Sequence, residues 1–340
     1  MRNFLSTIFK KIGKMLEKAN PQTIPIEEDV IVIGEGSSPK IKEKNVQKQK
    51  TEIIPYPENP IRDVIDLMEF PFVALSKDRT NPIIYESTDK TQKIVISGHR
   101  GHFLASIYDW DIILVVAGKI QEILNKSEIP SHTIIIPRHE LLKALHKHGG
   151  KKQQKDLEKS LARLQLTGIE TTVNNKDYRH KAGFGFIDSW GYKERKNDRE
   201  TRNIKITLSP WLYELCCAQG NLLKSSIDYF DMKSGLKKFL YRTARKHAGN
   251  NRDGWEFSIE KLYEKSGSEN DFRKFKAKLK AAVLDDDIPE YSFKWIVRNR
   301  KSFILFKNHK QIKTIEEVCE GLEKLEKINE IKLLESENHN

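Results

Sequence analysis

One succession of hydrophobic patterns occurs twice in this chain, and that order constrains its fold more than any single motif. In the first pass, residues 109–125 place Ile112, Ile113, Val116, Ile120 and Leu124 on one side of a helix, and Thr133–Ile136 is a short β run. Pro137 then opens a helix through His146, because proline suits a first helical turn. Gly149-Gly150 breaks the chain, and a third helix runs from Lys151 to Leu166. β-prone segments follow at Ile169–Val173, Phe184–Trp190 and Asn203–Leu208. In the second pass Leu236–His247 is helical, Trp255–Phe257 is β-like, Ile259–Lys265 is a short helix and Gly267 turns the chain. Asp271–Leu284 is a longer helix. Tyr291–Val297 and Ser302–Phe306 then form a hairpin around Arg298-Asn299-Arg300-Lys301. The two passes share order rather than obvious sequence.

Helix, strand, helix, turn, helix and hairpin is the order of a winged helix, whose last helix enters a DNA major groove while the hairpin lies along the phosphates. The expected fold is therefore α+β, with two tandem winged-helix domains at residues 61–208 and 209–310. Ahead of the first, Ile83–Glu86 and Lys93–Ser97 suggest an extra hairpin. Residues 1–60 are expected to form a flexible arm. A basic amphipathic helix, with Phe4, Leu5, Ile8, Phe9, Ile12, Met15 and Leu16 among Lys10, Lys11 and Lys14, leads into a Pro/Gly/Lys-rich linker. Residues 311–340 read as an acidic helical tail. Its Ile315, Val318, Leu322, Leu325 and Ile328 have heptad-like spacing, suited to self-association or to packing on the chain's own elements.

Charge points to the partner. The 340 residues carry a net +12, yet residues 311–340 hold eight Glu against four Lys, so residues 1–310 carry +16. A cationic body favours a polyanion, nucleic acid before an acidic membrane. In the third helix of the first pass, Leu157, Leu161 and Leu164 form the apolar face. Lys152, Lys155 and Lys159 lie opposite, flanked by Lys151 and Arg163. In the matching helix of the second pass Phe272, Phe275, Leu279 and Val283 form the stripe. Arg273, Lys274, Lys278 and Lys280 point away, with Ala277 and Ala281 between them and Lys276 near the seam. Small side chains there let a helix approach the bases, and a methyl group suits thymine. Lysine mostly meets phosphate, so base discrimination is expected from Gln153, Gln154, Arg163, Asn270 and Arg273. Arg298, Asn299, Arg300 and Lys301 at the hairpin tip complete the expected DNA-contacting set.

Chemistry is harder to find. No GxxxxGK[ST] occurs, so bound nucleotide or a helicase motor is not expected. His139-Glu140-Leu141-Leu142-Lys143 has Lys where a zinc protease needs its second His, and His99-Arg100-Gly101-His102 lacks further ligands. His146-Lys147-His148 lacks the apolar residue that separates the paired histidines of rolling-circle nickases. Tyr241, the one residue worth weighing as a DNA-nicking nucleophile, has the spacing of a core residue beside Leu236 and Leu240. No enzyme, cofactor or metal is expected. Cys216, Cys217 and Cys319 form no CxxC pair and read as reduced thiols of a cytoplasmic protein, and no apolar stretch is long enough for stable membrane insertion.

The chain resembles the replication initiator protein A family of bacterial plasmids. The resemblance begins at Phe70-Pro71-Phe72-Val73-Ala74-Leu75-Ser76-Lys77 and continues through Ala105-Ser106-Ile107-Tyr108-Asp109-Trp110-Asp111. It includes Gly149-Gly150, Leu157, Leu161-Ala162-Arg163-Leu164-Gln165 and Thr167, and is strongest over Gly235–His247. Trp255-Glu256-Phe257 and Lys265-Ser266-Gly267-Ser268 follow. The Lys-rich turn Lys151-Lys152-Gln153-Gln154 departs from the family pattern. The resemblance implies an initiator that binds repeated double-stranded sites (iterons) at a plasmid origin and helps a host initiator and replicative helicase open the DNA. It implies no catalytic residues. A transcriptional repressor of the same fold, a tyrosine nickase and a membrane-surface or scaffold protein using the N-terminal helix are the rival readings.

Overall fold

The computed structural model describes residues 61–87, 90–99, 102–174, 179–192 and 203–309, all within one compact unit, Pro57–Asn340. The amphipathic segment 1–19, the linker 20–60 and the acidic tail 311–340 lie outside the described residues. So do residues 193–202 and Cys319.

In chain order the first half contains β1 (Arg62–Val64), β2 (Ile83–Glu86), β3 (Gln92–Gly98), α1 (Trp110–Asn125), β4 (Thr133–Pro137), α2 (Arg138–Ala144), α3 (Lys151–Leu166), β5 (Thr167–Asn174), β6 (Arg179–Gly185), β7 (Ile187–Tyr192) and β8 (Asn203–Leu208). The second half contains α4 (Pro210–Cys217), β9 (Leu222–Lys224), α5 (Gly235–His247), β10 (Trp255–Ser258), α6 (Ile259–Ser266), α7 (Phe272–Leu284), β11 (Tyr291–Arg298) and β12 (Lys301–Asn308).

The repeated order of patterns is a repeated topology. Each half has an antiparallel three-stranded sheet in which the strand ahead of the paired helices joins the last strand, giving β4-β8-β7 and β10-β12-β11. Leu157, Leu161 and Leu164 of α3, and Phe275, Leu279 and Val283 of α7, are buried, so each last helix turns its lysine-rich side outward. The first core is built on α1. From Trp110 to Ile120 this helix is buried on every side, so the one-sided stripe understates it. Lys119, inside that stretch, reaches Glu122 and Glu140 at 3.7 and 4.0 Å.

Two features were not visible in the periodicity. The run Phe184–Trp190, expected to be one strand, is divided between two sheets. Gly185 ends β6, Ile187 begins β7, and Phe186 is fully buried at the corner, its carbonyl accepting from the backbone and hydroxyl of Ser209 at 3.2 and 2.9 Å. Apolar residues continue across the bend, so spacing gives no sign of it. As a result β5 and β6 form a hairpin inserted between α3 and β7. It extends the β2–β3 hairpin into a four-stranded sheet, β2-β3-β5-β6.

The halves approach closely. A Cβ on Gly235 would lie 2.0 Å from the carbonyl oxygen of Leu75, and one on Gly267 would lie 2.6 Å from Pro71. Gly267 also has φ +58°, which caps α6 in the left-handed region. Buried Arg79 crosses the same seam, donating to the carbonyls of Asn81, Pro82 and Gly267.

Candidate nucleic-acid interface

On α3, Lys151, Lys152, Lys155 and Lys159 are exposed, while Gln153 and Gln154 are half-buried. Asp156 is exposed among the lysines, which lowers the local charge of this face. Gln154 is turned inward, accepting from Arg138 and donating to Glu158 at 3.4 Å. Arg163 departs from the expectation of a base-reading residue. Its guanidinium forms a bidentate pair with Asp109 (2.6 and 2.9 Å) and donates to Ser160 at 3.2 Å. Asp109 is 1% exposed, and its carboxylate also accepts from the backbone and hydroxyl of Ser106, both at 2.8 Å. The hydrogen bonds from Arg163 to Asp109 hold the Arg163 pKa above its ordinary value despite burial. A cation so committed is structural.

The matching face of α7 is open. Arg273, Lys274, Ala277, Lys278, Lys280 and Ala281 are all exposed, and Lys276 is half-buried at the seam. Asp271 caps the helix, its carboxylate accepting from the Lys274 backbone at 2.9 Å, and that bond holds its pKa below the usual range. Asn270 is half-buried in the preceding turn: its carbonyl accepts from Tyr263 at 2.9 Å and its side-chain oxygen from Lys278 at 3.3 Å. At the β11–β12 tip, Asn299 and Arg300 have φ +50° and +62°, the conformation of a two-residue hairpin with both central residues left-handed. Arg298 leans back, pairing with Glu256 and lying 5.1 Å from the Phe303 ring centroid. Asn299, Arg300 and Lys301 project into solvent.

The basic helix α5, where the family resemblance is strongest, is not part of this surface. Lys238, Arg242 and Lys246 recur every four residues and all face the first half. Lys238 donates to both carboxylate oxygens of Asp111 (2.9 and 2.8 Å), with its ammonium 4.1 Å from the Tyr229 ring centroid. Arg242 pairs with Asp63 at 2.6 and 3.1 Å, and Trp110 donates to the same carboxylate at 3.0 Å. Lys246 reaches Glu69 at 2.8 Å, and Lys265 of α6 meets its other oxygen at 2.7 Å. Burial acts on several members. It raises Asp111 to about 6 and lowers Lys238, lowers Lys265 to about 8, and lowers the neighbouring His247 to about 4. Burial alone would raise Glu69 too, but Lys265 and Lys246 more than offset it and hold the carboxyl at about 2. Sequence reasoning missed this network. The four-residue cation spacing on α5, and acids beside and within an otherwise apolar α1, were the available signals.

Tyr241 is fully buried, accepts from the Ser226 backbone at 2.6 Å, donates to Glu290 at 2.8 Å, and has its pKa pushed far up by burial. It is a core residue, as its spacing indicates. His146 is held by Asp231 at 2.8 Å. Cys216 is buried and Cys217 half-buried, both as free thiols. Among the described residues no group of three or more His, Cys, Asp or Glu could hold a metal, and no helix is long and apolar enough to cross a membrane.

This geometry defines a mixed α/β protein with two like-ordered units, each presenting a basic last helix beside a β-ribbon. Residues 62–293 match the family described as replication initiator protein A, and the chain belongs to that family. A curated protein of Wigglesworthia glossinidia brevipalpis, provisionally named a replication protein, is 31% identical over 237 residues, covering 69% of this chain and 84% of its own. Among solved structures, domains 2 and 3 of RctB superpose with a TM-score of 0.53 at 10% identity, over 71% of this chain and 96% of that one, and share its fold. A second RctB domain 2–3 structure gives a TM-score of 0.45 at 10% identity, over 75% of this chain and 99% of that one.

Proposed function

We propose that this protein is a cytoplasmic, non-enzymatic initiator of plasmid replication that binds direct repeats in duplex DNA through two winged-helix domains. Lys151, Lys152, Lys155 and Lys159 of α3 and the exposed face of α7 would enter successive major grooves, about 10 bp apart. Arg300 and Lys301, on the β11–β12 wing, would lie along the backbone. Because the halves differ in sequence, a bound site need not be palindromic, and a directly repeated site bound by single chains is the natural arrangement. Several bound copies would strain adjacent A·T-rich DNA, whose flexible steps deform at lower cost, for a host initiator and helicase to open.

The observation that carries this reading is the α7 face. Four exposed cations surround two exposed alanines, beside a basic ribbon tip, in a chain of the replication initiator family. The test is footprinting and binding titration on the intergenic DNA of the parent replicon. Arg273→Ala is expected to reduce discrimination between repeat and random duplex by about 1–3 kcal/mol, whereas Lys155→Ala weakens both about equally. A protein whose footprint and affinities are unchanged by both substitutions does not use these helices.

A further inference from the structure

We propose that the seam between the halves is a third DNA contact, in which Lys77, Lys147 and Lys233 hold backbone phosphates of the duplex between the two major grooves. This deepens the duplex-binding reading above and rests on it. A duplex read by α3 and α7 at once must pass over whatever joins them, and a continuous set of contacts identifies what that is. The turn His146–Gly150 leads directly into α3, and His146 is tied to Asp231 at 2.8 Å. Two residues on, the carbonyl of Lys233 accepts from the Tyr108 hydroxyl at 2.6 Å. The Lys77 ammonium sits 4.5 Å from the centroid of that same Tyr108 ring. Ser76 and Ser234, their chain neighbours, then line one cleft with Glu269 and Asn270 ahead of α7 and with Phe275 and Lys278 in its first half.

The acids along this path already have partners, Asp231 in His146 and Glu269 in Arg79 at 3.8 Å. Lys77 and Lys233 are exposed and Lys147 is half-buried. Among the described residues none of the three has a carboxylate within ion-pair distance, whereas Lys238 beneath them is fully engaged by Asp111. Burial first, and then Lys147 and Lys77, lower the pKa of Lys238, and Lys147 also acts on Asp111, so Lys77 and Lys147 lie near the same buried pair. The Tyr108 face positions the Lys77 ammonium by a cation–π contact while leaving it open to solvent, so little side-chain freedom remains to be lost on binding. A phosphate backbone supplies the matching anions at regular spacing.

The experiment compares the full chain with Lys77→Gln/Lys147→Gln/Lys233→Gln and with a control of equal charge loss, Lys93→Gln/Lys126→Gln/Lys224→Gln, whose lysines are exposed elsewhere. Affinity for a repeat duplex and a random duplex of about 30 bp, three helical turns, is measured across a salt series. The seam variant is expected to lose affinity for both duplexes, to keep the ratio between them, and to flatten the log affinity–log salt slope by about 0.9 per lost phosphate contact, or about 2–3 in all. Ethylation of phosphates midway between the two groove contacts should interfere with the unaltered protein and no longer with the seam variant. Equal slopes for the seam and control variants, or unchanged midway interference, would overturn the proposal while leaving the two-helix reading in place. Absence of duplex binding by the unaltered protein would remove both.

Discussion

Separating Lys238 from Asp111 tests whether buried charge fastens the two halves. The ammonium is 1% exposed and the aspartate 7%, with both carboxylate oxygens within 2.9 Å of the ammonium nitrogen. Asp111→Leu strands a cation that has no second carboxylate in reach among the described residues, and breaking a buried pair from one side costs about 3–5 kcal/mol. In a folded unit of this size that lowers Tm by roughly 6–20 °C. Lys238→Met strands the acid instead, and here the penalty has an outlet. Burial already raises the Asp111 pKa to about 6 with its partner present, so without Lys238 it rises further and the carboxyl takes up a proton. A carboxyl whose folded pKa exceeds its unfolded value stabilises the fold below the unfolded value and loses that effect as pH rises through the folded one. The Lys238→Met defect should therefore be about 1–3 kcal/mol at pH 7 and shrink toward pH 5, while the Asp111→Leu defect does not shrink. The double variant, with an apolar pair of similar volume, should recover most of the loss. Urea melts of all four proteins at both pH values provide the cycle. Single variants each costing under about 1 kcal/mol, or a double variant whose loss equals the sum of the singles, would refute the idea that this pair is desolvated and coupled.

Arg163→Ala should destabilise the protein by about 2–4 kcal/mol, since Asp109 keeps only its Ser106 donors, while the folded fraction binds DNA as before. A loss of DNA affinity without a loss of stability would return Arg163 to the interface. Glu69, held at about 2 against 4.5 unfolded, contributes stability above pH 4.5 that disappears as pH falls toward 2. The stability gap between the native chain and Glu69→Gln, about 2 kcal/mol at neutral pH after discounting partial exposure, should close across that interval in acid titrations. A gap that stays constant with pH would mean the Glu69 pairs are solvated.

Much of the architecture was legible in order and spacing, and the reasons for the exceptions are physical. The outward faces of α3 and α7 follow from leucines and phenylalanines at helical intervals, and the β11–β12 tip follows from two β runs around a polar dipeptide. The corner at Phe186 was not legible, because a buried aromatic between two strands extends the alternation of both. The partners of Arg163 and of the α5 cations were not legible for one reason: a lysine or arginine shows its type in sequence but not its partner. Asp109 lies 54 residues from Arg163, Asp111 127 from Lys238, and Asp63 179 from Arg242. No local pattern joins such pairs.

That division between committed and free cations falls differently on α5 and α3. The segment most like the family, Gly235–His247, is α5, whose Lys238, Arg242 and Lys246 close ion pairs with the first half and whose Gly235 leaves no room for a side chain against Leu75. Each of those residues is dictated by the joint between the halves. The stretch Lys151-Lys152-Gln153-Gln154, by contrast, opens α3, and its two lysines are exposed and touch nothing the joint requires. A chain can therefore hold the relative placement of its two helices fixed through α5 and still alter what those helices meet. On this structure the joint and the exposed basic faces are built from the same residue types, and what separates them is whether a buried carboxylate faces the cation.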